Sequence, residues 1–141
     1  VLELAIIHTV VIAAVVFTHY EALLQLSRLL PRLDRVGYRL RIVLGVIGAM
    51  IAHTLEVCLF GFAYLFMARA GLGEIRGSDG TSFVDAIYFS FISYTTLGYG
   101  DLAPAGGLRF LAGVESLLGL VLIAWTASFL FFEMERYWQN G

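Results

Sequence analysis

Three long apolar runs, parted by short charged or glycine-rich stretches, set the pattern of this chain. Residues 4–27, 42–67 and 108–132 are almost wholly apolar, and each is long enough as a helix to cross a bilayer core; the first would measure about 36 Å. A fourth apolar run starts at Phe83 and lasts only to about Tyr94. Ser82 and Asp85 stand at capping-box spacing, with the shorter acid in place of glutamate, so a helix is expected to begin there. At about 20 Å such a helix cannot span and must re-enter. The pattern therefore predicts an all-α membrane protein: an N-terminal helix over 1–27, an outer helix over 42–67, a half-helix over 82–95 and an inner helix over 108–133.

The polar stretches orient these elements. Arg28, Arg32, Arg35, Arg39 and Arg41 lie between the first two spans, against Arg69 and Arg76 after the second, which puts segment 28–41 on the cytoplasmic side. The N-terminus is then expected outside, and the tail 136–141 inside. On a continuous helix the first four arginines would share a face. They surround Pro31 and Gly37 between spans, so they read as an interfacial segment snorkelling to headgroups and not as a voltage sensor. Tyr137 and Trp138 extend the same reading to a headgroup belt at the C-terminal end.

Composition narrows the class. The chain is 60% hydrophobic and 14% charged, with a mean hydropathy of +0.84, which excludes an ordinary soluble domain. A net charge of -2 without a basic tract gives no reason to expect a nucleic-acid partner. All nine basic residues are arginine, a hint of GC-rich coding and a bacterial inner membrane. The lone Cys58 cannot form an intrachain disulfide and reads as a core residue. No basic residue precedes the first apolar run and no cleavage pattern follows it, so it reads as a retained helix and not a signal peptide. The chain opens on Val1, which leaves room for earlier residues. No arrangement for nucleophilic catalysis, no phosphate loop, no Cys cluster and no nucleotide- or calcium-sensing appendage is visible, so neither an enzyme nor a cofactor is expected.

The chemistry concentrates in Thr95-Thr96-Leu97-Gly98-Tyr99-Gly100-Asp101. Glycine accepts positive φ without steric penalty, so consecutive carbonyls can point the same way. If Thr96, Leu97, Gly98 and Tyr99 aim their C=O groups at one axis, with the Thr96 hydroxyl below, one chain supplies a ladder of oxygens. Four copies would surround a dehydrated monovalent cation and replace its water. The side chain of Leu97 should matter little, because that position contributes its carbonyl.

The run Phe83-Val84-Asp85-Ala86-Ile87-Tyr88-Phe89-Ser90, the string Thr95 to Asp101 and Pro104 together resemble the pore loop of potassium channels, especially the two-transmembrane and two-pore-domain branches. The likeness extends over residues 42–133 as architecture and is sharp from 83 to 104. It implies the potassium-channel pore fold with an added N-terminal helix. It also implies a homotetramer in the bilayer that conducts K+ passively through Thr96–Gly100, with K+ held at Thr96, Leu97, Gly98 and Tyr99 and no other cofactor. Channels of this kind often place a glutamate or tryptophan of the pore helix behind the terminal aspartate of the filter. Here Ile92 stands at the glutamate position, and Tyr88 and Phe89 where tryptophans are common. Tyr88 is therefore the candidate hydroxyl donor to Asp101, with Thr95 and Glu115 as further supports. Gly119 matches the hinge position of pore-lining helices, although glycine there would serve close helix packing equally well.

Ionisable groups inside the spans are costly and face protein or water. His53 and Glu56, three apart on one face of the second span, fit a hydrogen-bonded tie between helices, a pH-sensing pair or a His/Glu metal site. His8, His19 and Glu21 are assigned packing or interface roles. Two rival functions are a potassium-transporter subunit, which would carry four filter-like loops in a longer chain, and a non-conducting subunit that modulates a partner channel.

Overall fold

The computed structural model describes residues 2–33, 37–77 and 82–138, with side chains to 136. Four helices carry the fold: α1 (Leu2–Leu29), α2 (Tyr38–Arg69), α3 (Phe83–Tyr94) and α4 (Leu108–Trp138). The three long ones are apolar and long enough to cross a membrane, so the chain is a multi-pass membrane protein. Their lengths of about 42 to 48 Å exceed the hydrocarbon core of about 30 Å, so their ends reach the headgroup layers.

The arginine-rich connection differs from a single helical face. Arg28 ends α1, Pro31 sits in a 3-10 turn over Leu30–Arg32, and Arg39 and Arg41 belong to the first turn of α2. Proline cannot continue the hydrogen-bond ladder, which breaks the arginine periodicity between two helices. Arg35 lies outside the described residues, as do the side chains of Tyr137 and Trp138.

Packing follows residue size. Gly45, Gly48 and Ala49 make a small-residue strip on α2 against which Leu26 of α1 and Leu30 of the 3-10 turn pack; a Cβ on Gly45 would stand 3.3 Å from Leu30 Cδ1. Higher up, Gly61 of α2 receives α3, with Ile87 Cα 3.2 Å from where a Cβ would be. Small residues let helices in lipid approach closely enough for dispersion to hold them together. The main core gathers Val15 of α1, Phe60 and Tyr64 of α2, Phe89 and Tyr94 of α3, and Leu111 and Leu122 of α4.

α3 starts where the capping pattern places it: Ser82 Oγ accepts the Asp85 N–H at 3.5 Å. The stretch after α2, which reads as a loop, contains a strand. Gly73–Arg76 (β1) pairs antiparallel with Ala103–Gly106 (β2), in the register Gly73↔Gly106 to Arg76↔Ala103. Gly73–Arg76 alternates but is only four residues long, Ala103–Gly106 has no polar position to alternate, and the partner lies beyond α3, so the pairing is invisible locally. The ribbon ties the chain leaving the glycine string to the C-terminal end of α2, with Gly107 N–H donating to Leu72 O at 2.9 Å.

Candidate functional site

The glycine string emerges from the C-terminal end of α3. Thr95 is still right-handed at φ -83°; then Thr96, Gly98 and Gly100 take φ of 57°, 53° and 81°. Leu97 and Tyr99 are absent from the positive-φ residues. The backbone thus alternates hand at every second residue, the condition under which successive carbonyls can share one side. Glycine makes this free at 98 and 100. Thr96 is β-branched, and positive φ there is strained. It is held by Thr96 N–H to Ser93 O at 3.0 Å, beside Gly98 N–H to Ile92 O at 3.1 Å. The string is exposed from Thr95 to Asp101, with Leu97 55% and Tyr99 68% accessible. Beside it opens a cleft of about 400 Å³ lined by Phe89, Ser93, Gly98, Leu102, Ala112 and Ser116 among others.

α3 is fixed on several sides. Tyr88 Oη donates to Asp101 Oδ2 at 2.8 Å, and that bond to the carboxylate raises the Tyr88 ionisation above its ordinary value. Thr95 Oγ1 donates back to Phe91 O at 2.7 Å, and Ser116 of α4 donates to Ser93 O at 2.9 Å. Glu115 is fully buried. It takes the Tyr64 hydroxyl of α2 on one oxygen and bonds Ser90 of α3 on the other, while Ser90 also reaches Val57 O at 2.8 Å. Its hold on the string therefore runs through the middle of the pore helix, and the partner at Asp101 is Tyr88.

His53 and Glu56 meet in a second network, whose other members, His19, Tyr94 and Thr126, the sequence does not announce. Glu56, fully buried, lies 2.9 Å from His19 Nδ1 and 3.0 Å from His53 Nδ1, one imidazole on each oxygen. It also accepts the Tyr94 hydroxyl. His53 Nδ1 lies 2.9 Å from Tyr94 Oη, and its Nε2 lies 3.0 Å from Thr126 Oγ1 of α4. Glu56 and Glu115 thus anchor separate networks. Of the packing or interface roles expected for His19, it takes the packing one: it is fully buried and links α1 to the end of α3 through Glu56. Its distance from Glu56 in the chain hides the pairing. The available signal was an intramembrane histidine facing a helix that carries an intramembrane acid. Tyr94, Ser90, Tyr64 and Thr126 gave no signal beyond apolar-run membership.

Gly119 abuts this same point. A Cβ there would collide with the Tyr94 carbonyl oxygen and stand 3.2 Å from Tyr94 Cδ1. α4 runs without a break through it.

Residues 43–136 match a family described as "Ion channel". The chain is 28% identical over 95 residues to two-pore potassium channel 4 of Arabidopsis thaliana, covering 67% of this chain and 28% of that protein. It is 35% identical over 79 residues to the inward rectifier potassium channel Kirbac3.1 of Paramagnetospirillum magnetotacticum, covering 55% and 25%. It is also 28% identical over 109 residues to the potassium voltage-gated channel protein Shal of Drosophila melanogaster, covering 74% and 18%. The chain thus spans less than a third of the length of each of these relatives. With a helix–half-helix–helix frame, a hand-alternating TTLGYGD string and a family match over most of its length, this chain belongs to the potassium-channel pore-domain family of ion channels, which are not enzymes.

Proposed function

We propose that four copies of this chain assemble about the 96–100 string into a K+-selective pore that conducts passively. The observation that carries this is the alternation of positive φ at Thr96, Gly98 and Gly100 directly after a half-helix. Carbonyls aligned by it replace the hydration shell of K+ at adjacent sites, so each ion is displaced by the next. Non-helical backbone at membrane depth is stable only where protein or water covers it. In one chain Leu97 and Tyr99 lie open beside the cleft between α3 and α4. Neighbouring copies would cover both, which supports fourfold assembly. The negative dipole ends of four α3 helices would then face the cavity below and favour a waiting cation. Tyr88 and Asp101 brace the outer mouth, Thr95 the base, and Glu115 the pore helix. The arginine distribution supports an external N-terminus and a cytoplasmic C-terminus in a cell membrane.

The test is ion flux from liposomes carrying the purified protein, under a potassium and then a sodium gradient, with and without barium. Barium-sensitive potassium flux that exceeds sodium flux is expected. Gly98→Asp or Tyr99→Ala should abolish or relax the preference with the protein still in the membrane. Retained potassium preference in either variant, or a purified assembly that is not tetrameric, overturns the proposal.

A further inference from the structure

We propose that His19, His53 and Glu56 form a binding site for a divalent transition metal, with zinc the best chemical fit. The three side chains offer ligand atoms that all lie within 4.8 Å of one another. Two imidazole nitrogens and one carboxylate are a zinc donor set that leaves one position open. The carboxylate also supplies the negative charge that a dication needs in a buried place. Calcium or magnesium would ask for six or more oxygens at fixed distances. Here the oxygens at hand are those of Glu56 and the Tyr94 and Thr126 hydroxyls, so the nitrogen-rich set selects against them.

The surroundings are those of a site and not only of a hydrogen-bonded tie. Thr126 Oγ1 holds His53 Nε2 at 3.0 Å, which orients the ring with Nδ1 toward Glu56, the second-shell contact that metal-bound histidines use. His19 Nε2 is buried and has no hydrogen-bond partner. That ring is held through Nδ1 and by its contacts with Trp125 and His53, at 5.2 and 5.5 Å between centroids, so its Nε2 is the one imidazole nitrogen of the two rings without a bond to give up. His53 is the open side. Its side chain is 20% accessible and lines a cleft of about 210 Å³ with Met50, Thr54, Tyr94 and Thr95, so His53 is the member of the triad that can be reached from outside the chain. Ligation by Glu56 would compete with its bond from Tyr94. If the string conducts as proposed, occupancy is felt at its base, because Tyr94 directly precedes Thr95.

The test is a titration of the metal-free full chain in nanodiscs with Co2+, followed by visible d–d absorption, then displacement by Zn2+. This readout does not depend on conduction, so its failure is distinct from failure of the channel reading. One Co2+ per chain with intense low-symmetry bands, displaced by Zn2+, is expected. His19→Asn and His53→Asn keep an amide donor for Glu56 but remove the imidazole ligand, and each should weaken binding at least about tenfold. Thr126→Val, which only loosens the His53 ring, should weaken it by about 10- to 100-fold. His19→Cys restores a ligand and should bind Co2+ with an added thiolate charge-transfer band, which covers the case in which an asparagine variant fails to assemble. Bands of hexaaqua type in the wild-type chain, asparagine variants that bind like wild type, or a cysteine variant without the thiolate band overturn the site and leave the triad as a hydrogen-bonded tie.

Discussion

Gly119→Ala separates two roles for the inner helix because they predict opposite signs. If Gly119 is a hinge, alanine stiffens α4 and adds helix propensity, about 1 kcal/mol relative to glycine, so the assembly should become more heat-stable as gating changes. The structure puts the Tyr94 carbonyl where the new methyl must go, with Tyr94 Cδ1 3.2 Å away. The blocking atom is backbone and cannot rotate aside, so α3 and α4 must part. Overpacking of a fitted interface costs about 1–3 kcal/mol, and a backbone clash belongs at the upper end. Against the helix gain, a net loss on the order of 1–2 kcal/mol per chain remains. Parting the helices also strains the Ser116–Ser93 bond beside it, which is 2.9 Å long, and shifts the residue that leads into Thr95 and Thr96. The assay is thermal unfolding of the purified protein in detergent at low and high K+, with flux from liposomes alongside. The midpoint should fall by several degrees and the stabilisation by K+ should shrink. An unchanged or raised midpoint with altered gating refutes the packing argument and restores the hinge.

Further outcomes follow from single contacts. Tyr88→Phe removes the donor to Asp101 and should lower potassium-over-sodium preference in the gradient assay without loss of the assembly. Because Asp101 raises the Tyr88 ionisation above its ordinary value, the donor is intact at neutral pH and lost only as pH rises through the raised value; any alkaline step in selectivity should vanish in Tyr88→Phe. Ser90→Ala leaves an oxygen of buried Glu115 short of a partner, an expected loss of about 1–3 kcal/mol measured by thermal unfolding. Tyr64→Phe should cost a similar amount through the other Glu115 oxygen. Gly61→Ala pushes α2 from α3 at Ile87 and should destabilise by about 1–3 kcal/mol, read as a lower midpoint.

Much of this fold was legible because lipid imposes a strict rule. Every backbone group in hydrocarbon must be bonded internally, so apolar runs of sufficient length are helices and a short one must turn back. That rule and the arginines gave the spans, and the alternating glycines gave the string, since few other sequences can reverse hand at every second residue. Tyr88 opposite Asp101 was also open to inference, from the position that the pore-loop resemblance assigns to it. The β1–β2 ribbon was not, because Gly73 and Gly106 meet only once α3 has folded back between them. Nor were the partners that Glu56 takes beyond His53. Which acid takes which histidine depends on how α1 rolls against α2, and that is set by the small strip Gly45, Gly48 and Ala49 accepting Leu26 and Leu30. Periodicity in an all-apolar helix carries no marked face, so rotation is undetermined until the helices pack. The sequence by itself determined the spans, their order and the backbone hand of the string; only the tertiary structure decided that Glu56 holds His19 and Tyr94, that Glu115 holds Ser90 and Tyr64, and that Gly119 lies against Tyr94, because those choices are made by side-chain shape between helices and not along them.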